Sequence, residues 1–270
     1  MNSQMEKLGI VIEYEFLKHI RRKRLYVVLG IVLFIELLVL ILIPILEDSY
    51  PRDVMTMAAL LTAGSSLAAI GAVFFAGDAI AGEYESKTGF LLFTNPIKRI
   101  VLWTGKYLAG FLATAALIVF TYVIITVALL AIYQEVPVEI LKSFGLALLY
   151  ASAVLSVTFL FSAISKGSMG ATVMTLLFIF VICGILEGVL SATGNSSWYV
   201  LSAGGDSITT VLVDDFTKFL ESFGIDPAQF GPMLENYKPL NIGMAIWGMI
   251  IYLVGGFAAS LWISRRRQLS

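Results

Sequence analysis

The chain has 270 residues, 59% of them hydrophobic and only 14% charged, with a mean hydropathy of +0.90 and a formal net charge of −1. Water-exposed domains carry about 25% charged residues, so most of this surface faces something other than water, and the class that fits is an all-α integral membrane protein. A single cysteine, Cys183, excludes a disulfide framework and a cysteine-rich metal site, and the near-neutral balance gives no basis for a nucleic-acid partner.

Residues 1–24 are polar and basic, ending in Lys18, His19, Arg21, Arg22, Lys23 and Arg24. From Glu6 to Ile20 the pattern is helical. Leu8, Ile12, Phe16 and Ile20 form one row at i,i+4 spacing, and Ile10, Tyr14 and Leu17 lie on another side. A helix in the membrane interface, one row in lipid and the other on protein, has this pattern; a plain basic flank that fixes orientation is the alternative.

Six apolar spans follow: 25–46, 54–77, 107–133, 141–165, 169–192 and 241–264. At ~1.5 Å per residue each can cross a hydrocarbon core of ~30 Å. The first is too long for the apolar core of a secretory signal and lacks a small-residue cleavage site, so a first membrane helix is expected there rather than a cleaved leader.

Lys and Arg side chains set the orientation. With the N-terminus inside, fourteen of the 18 fall on the cytoplasmic side, and only Arg52, Lys142, Lys218 and Lys238 fall outside. The positive-inside rule then predicts a multi-pass plasma-membrane protein with both termini cytoplasmic. Two connections are long, the cytoplasmic 78–106 and the outer 193–240. In the outer one Asp206 is placed to cap a helix carrying Ile208, Val211, Leu212, Phe216, Phe219 and Leu220, with Gly224 as its stop. Asp226-Pro227 has the form of a second helix start.

Catalytic constellations are missing. The only histidine is His19, so neither a Ser-His-Asp triad nor a histidine metal site can be assembled. Gly82 to Thr88 comes nearest a phosphate-binding loop, but Ser86 stands where a glycine must precede the lysine. No cofactor is expected in this chain, and Met55 with Met57 is a weak soft-metal signal. Two carboxyls lie inside apolar spans: Glu36 near the middle of the first and Glu187 toward the outer end of the fifth. Each either lines a path or ties two helices together. Gly184 and Gly188 form a Gly-x-x-x-Gly pattern that suits packing within the chain, with a dimer face as the alternative. Asn195-Ser196-Ser197 is a glycosylation acceptor pattern on the outer side.

The polar connection 78–106 carries the most information. It opens with Asp78, Glu83 and Glu85, turns at Lys87, Thr88 and Gly89, and breaks at Asn95-Pro96. Lys98 and Arg99 follow, and Gly105-Lys106 marks re-entry. The run AGDAIAGEYESKTGFLL from Ala76 to Leu92, then Asn95 to Arg99, then Gly105-Lys106, resembles the permease subunits of ABC-2-type ATP-binding cassette transporters. In that family an acidic E-x-E-x-x-T/S-G turn follows the second helix, then a P-I/L-x-R step and a G-K pair opening the third. The likeness is nearest to the subgroup serving nitrous-oxide-reductase maturation and related copper-associated systems, although copper ligands are missing here. The resemblance implies a second permease subunit, identical or not, and a separate cytoplasmic ATPase that supplies the ATP and Mg chemistry. It also implies short re-entrant outer helices that close the exit. Asp78, Glu83, Glu85, Lys87, Thr88, Pro96, Lys98, Arg99 and Lys106 would then form the ATPase-coupling interface of an exporter. A membrane scaffold or receptor subunit using the same loop for another cytoplasmic partner is the competing reading.

Overall fold

The computed structural model describes residues 4–46, 48–62, 65–86, 98–213 and 240–266, with side chains of 65–70 set aside. Among these residues the structure is all helical. In order come α1 (Gln4–Arg21), α2 (Arg24–Leu46), α3 (Val54–Thr62), α4 (Ser65–Ala76), α5 (Ala81–Glu85), α6 (Arg99–Tyr133) and α7 (Glu139–Ile164). The chain continues through α8 (Ser168–Leu176), a π-helical stretch (Leu177–Cys183), α9 (Gly184–Ala192), α10 (Leu201–Thr210) and α11 (Ile242–Arg266).

Among the described residues five helical spans are long and apolar enough to cross a membrane: α2, α6, α7, the continuous α8–α9 helix and α11. Within the expected second span, 54–77, the described residues form α3 and α4, and residues 63–64 between them lie outside the described set. Asp53 starts α3 by accepting the Thr56 N–H and hydroxyl, each at 3.0 Å, as an N-cap carboxylate does. The third span also departs from expectation. Its helix begins at Arg99 rather than Tyr107 and runs 35 residues, ~50 Å at ~1.5 Å per residue, so it overhangs a ~30 Å hydrocarbon core. Lys98, in extended conformation, marks its start, and Gly105-Lys106 sits inside the helix. Apolarity alone placed the boundary too late because the first two turns are amphipathic.

The centre of the bundle is α7, where 61% of the apolar window is buried, against 17% for α2 and for α8–α9. Small residues explain how so many neighbours reach it: Ala147, Ala151, Ala153, Ser156 and Ala163 are all buried. A Cβ on Gly256 of α11 would lie 3.1 Å from the Ser156 carbonyl carbon, so the two backbones nearly touch. Tyr107, Phe159 and Phe257 fill the space beside that crossing, with ring centroids 4.5 to 6.5 Å apart.

The outer connection differs from expectation at its start. Asp206 does not cap a helix; it sits inside α10, which begins five residues earlier with Val200 in extended backbone. Expected residues beyond Val213, including Phe216, Phe219, Leu220 and Gly224, lie outside the described residues. After the turn at Gly194, in positive φ, the chain folds back into the bundle. The backbone N–H groups of Leu201 and Ser202 meet the Cys183 sulfur, nine residues before the end of α9 and so ~14 Å below it. Gly204 packs on Met249 and Tyr150, and Ser143 near the start of α7 donates to the Ile208 carbonyl at 2.8 Å. Thus α10 re-enters the bundle: it starts beside Cys183 and runs toward the end where α7 begins. The π-helical stretch lies next to its deep end, and the enclosed Cys183 is the last residue of that stretch.

At the other end of the bundle α1 lies across α6. A Cβ on Gly105 would come within 2.5 Å of Val11 Cγ1, so the contact exists because that position has no side chain. Gly105→Ala is therefore expected to lower the stability of the detergent-solubilised protein by about 1–3 kcal/mol. Adding Val11→Ala should recover most of the loss, read as the unfolding midpoint by fluorescence.

Candidate functional site

The charged end of the bundle gathers α1, the start of α2, the α4–α5 turn, the overhang of α6 and the start of α8. The α4–α5 turn is fixed first. Ser162 of α7, fully buried, donates to the Gly77 carbonyl at 3.0 Å and accepts the N–H groups of Ile80 at 3.1 Å and Ala81 at 2.9 Å. One hydroxyl thus satisfies the end of α4 and the beginning of α5, groups that a helix terminus otherwise leaves open. Gly77 is needed there, since a Cβ would sit 2.4 Å from Thr172 Oγ1.

From that turn three acids reach in three directions. Asp78 receives Arg24 at 2.8 Å and Arg22 at 3.2 Å, tying the α1–α2 corner to the end of α4. Glu83 is buried and faces the Lys106 ammonium at 2.7 Å, with Lys18 at 3.8 Å. Glu85 is exposed and accepts both the N–H of Ser168, at 2.8 Å, and its hydroxyl, at 2.6 Å, at the first turn of α8. The Ser168 hydroxyl, and then its N–H, hold the Glu85 carboxyl below its ordinary 4.5.

Lys106 is the centre of the cluster. Its side chain is 1% exposed, and the ammonium bridges Glu83 of α5 and Glu15 of α1. Lys18 adds a second cation to Glu15 at 3.2 Å. Two acids and two bases therefore neutralise each other where α1, α5 and α6 meet, which is the condition for keeping ions away from water. Burial pushes the Glu15 carboxyl up, but Lys106 and Lys18 more than offset it, and the group is held below 4.5. His19, one turn beyond Glu15, packs edge-on against Phe75 with centroids 5.2 Å apart, and burial lowers it from 6.5 to about 4.

The expected coupling residues thus separate into groups. Asp78, Glu83, Glu85 and Lys106 are brought together, but Glu83 and Lys106 face inward and Glu85 is engaged by Ser168. Lys98 is exposed at the start of α6, and Arg99 reaches the Arg265 carbonyl at 3.4 Å, placing the end of α11 at the same end of the bundle. Lys87, Thr88 and Pro96 lie outside the described residues. Sequence reasoning missed Glu15, Lys18, Arg22, Arg24, Ser162 and Ser168 as partners. The buried line of α1 runs through Val11 and His19 with Glu15 between them, not along either apolar row, so hydrophobic periodicity pointed away from it.

Inside the membrane spans, Glu36 is buried, whereas Glu187 is half-buried and lies near the carboxyl of Asp206 on α10. Met57 is fully buried in the core rather than paired with Met55 on an outer surface. A Cβ on Gly184 or Gly188 would meet nothing within 4 Å among the described residues, so no described neighbour packs closely on that strip. Among the described residues no group of three His, Cys, Asp or Glu side chains is placed to hold a metal ion.

Comparison with known families settles what this architecture is. Residues 11–183 match the family of membrane domains described as ABC-2 family transporter protein. The chain belongs to the ABC-2 transporter family. It is also 32% identical over 226 residues to the probable ABC transporter permease protein NosY of Pseudomonas aeruginosa, covering 79% of this chain and 81% of that protein. The matched region holds both ends of every ion pair around Lys106 and Asp78. The chain is accordingly a multi-pass membrane subunit of a transporter.

The cluster carries a pH signature. His19 has a folded-state value of about 4 against 6.5, so acid favours states in which it is released. Stability from its neutral burial is complete above about pH 6.5 and falls as the pH is lowered toward 4. Glu15, held below 4.5, adds its loss only under more acidic conditions. The unfolding midpoint is expected to be level from pH 8 to 7 and to drop below about 6.5, and His19→Gln should remove the slope between pH 6.5 and 5.

Proposed function

We propose that this chain is the translocation-path subunit of an ABC exporter, driven by a separate cytoplasmic ATPase that docks at the charged end of the bundle. The observation that carries the reading is the Lys106 cluster. A polar connection between two membrane helices, 78–106, is joined through a buried ion-paired centre to α1 and to the helix that follows. A push on the 78–106 connection cannot then be absorbed locally. Glu83 passes it to α6 and α1 through Lys106, Glu85 passes it to α8 through Ser168, and Asp78 passes it to α2 through Arg24.

Glu83 and Lys106 act from inside, as the link between the docked motor and the spans. The surface offered to the ATPase is then built from Glu85, Lys98, Arg99 and the stretch containing Lys87, Thr88 and Pro96. ATP and Mg belong to that partner. Both termini and the docking surface face the cytoplasm, supported by the cation bias and by the meeting of α1, α5, α8 and the end of α11 at one end. The two pieces α3 and α4 together supply the sixth crossing. A second permease subunit packs on the α8–α9 helix, where Gly184 and Gly188 leave an open strip that lets another helix approach closely. The re-entrant α10 closes the outer end, and its displacement opens the exit.

A scaffold subunit would also need a cytoplasmic docking face, but it would not need that face wired to three membrane helices. Co-expression with the ATPase encoded beside this chain separates the two. The complex is expected to survive mild solubilisation, and Glu85→Lys should lower its ATP turnover by about tenfold while membrane insertion is kept. Absence of any ATPase complex under every nucleotide condition would remove the transporter reading.

A further inference from the structure

Glu36 lies at the middle of α2, twelve residues or ~18 Å from its first residue. It is one of only three buried residues on that helix, with Val28 and Val32, so α2 leans on the bundle along a narrow line. The Glu36 side chain is 2% exposed, and its Oε2 is enclosed with no hydrogen-bond partner. No ion pair among the described residues includes it.

A carboxyl that ties two helices needs a donor when ionised and an acceptor when protonated; Glu36 has neither. Tyr122 of α6 lies within electrostatic reach, but its hydroxyl is engaged with Ser143 Oγ at 2.7 Å, and Ser143 in turn donates to Ile208. Thr114, Thr121 and Thr126 on the same helix give their hydroxyl protons to carbonyls of their own helix. The helix-tie reading is therefore unsupported, and an enclosed, uncompensated acid at mid-membrane is the kind of residue that marks a binding position.

The surroundings define the ligand. One turn along α2 begins an apolar cluster of Val28, Val32, Phe75, Ala113 and Leu117, and Tyr122 of α6 lies within electrostatic reach. A single carboxyl with no second acid, histidine or cysteine beside it is a poor host for a metal ion. An organic cation that brings its own apolar body fits: the charge is met by Glu36 and the body by the valine and leucine side chains of the adjoining cluster.

We propose that Glu36 is the counter-ion of a substrate site for lipophilic organic cations, entered from the membrane as α2 parts from α6. This rests on the reading of the chain as a translocation-path subunit. The probe is tetraphenylphosphonium, measured by equilibrium dialysis against the purified chain in lipid nanodiscs, with neutral triphenylphosphine oxide as competitor. Wild type should bind saturably, Glu36→Asp within about threefold of it, and Glu36→Gln about tenfold or more weaker, with no displacement by the neutral compound. Glu36→Leu, which extends the apolar line, should fold as well as wild type and bind no cation, so loss of binding is separable from loss of structure. Equal binding by Glu36→Gln, displacement by the neutral compound, or no saturable binding by wild type would overturn the proposal. If wild type fails to bind while the ATPase complex still forms, the site is wrong and the transporter reading stands. Saturable binding without any ATPase complex supports the site and removes the transporter reading.

Discussion

An ammonium group with almost no access to water, held between two carboxylates from different helices, is the constraint on which the charged end depends. Lys106 cannot be buried alone, because an unpaired charge in the interior costs several kcal/mol. It is therefore stable there only while Glu15 and Glu83 are both in place, and each of those arrives on an element that could otherwise drift. α5 is five residues long, too short to hold its position by itself, and α1, although 18 residues long, precedes the first span and is placed by its contacts with α6. The ion-paired centre, the glycine gap at Gly105 and the Ser162 hydroxyl together convert three separate segments into one body.

That arrangement explains why a permease would keep such an expensive feature. Replacing ions by packed apolar side chains often stabilises a protein, so stability is a weak reason for a buried charge cluster. Directionality is a better one. Ion pairs break and reform at defined geometries, whereas apolar contacts slide, and on the function proposed above a force entering at 78–106 has to reach α1, α2, α6 and α8 in step. The far end is built differently. α10 is held by the hydrogen bond from Ser143, by the approach of Leu201 and Ser202 to Cys183, by close packing at Gly204 and by the nearness of Asp206 to Glu187, with no ion pair among the described residues. A re-entrant element held this way can be displaced without separating opposite charges inside the membrane.

Much of this was legible from residue order. The membrane class followed from the lack of charge, five spans from long apolar runs, and the family from the acidic turn at Glu83 and Glu85 with the Pro96 to Arg99 step. What escaped had physical reasons. Lys106 looked like a residue at the membrane surface because lysine usually is one; its burial depends on Glu15, ninety-one residues earlier, and no local pattern reports such a pairing. The start of α6 was placed late because an overhanging helix is amphipathic where it leaves the bilayer. Asp206 has the residue type of a helix cap, but α10 starts where Val200 meets the bundle, and tertiary contact overrode the local signal. Gly184 and Gly188 carry the spacing of a close-packing strip, but spacing alone does not say which helix uses it, and no described residue approaches them closely.

The most direct test is a charge exchange across Lys106 and Glu83, read as ATP turnover by the complex of this chain with its ATPase at matched levels in the membrane. Glu83→Lys and Lys106→Glu should each lower turnover by about tenfold or more, and the double exchange should return it to within a few-fold of wild type. The interaction energy would then be about 1.5 kcal/mol or greater. Losses that simply add in the double variant, with both proteins folded and inserted, would contradict the claim that this ion pair carries the motor's movement into the membrane.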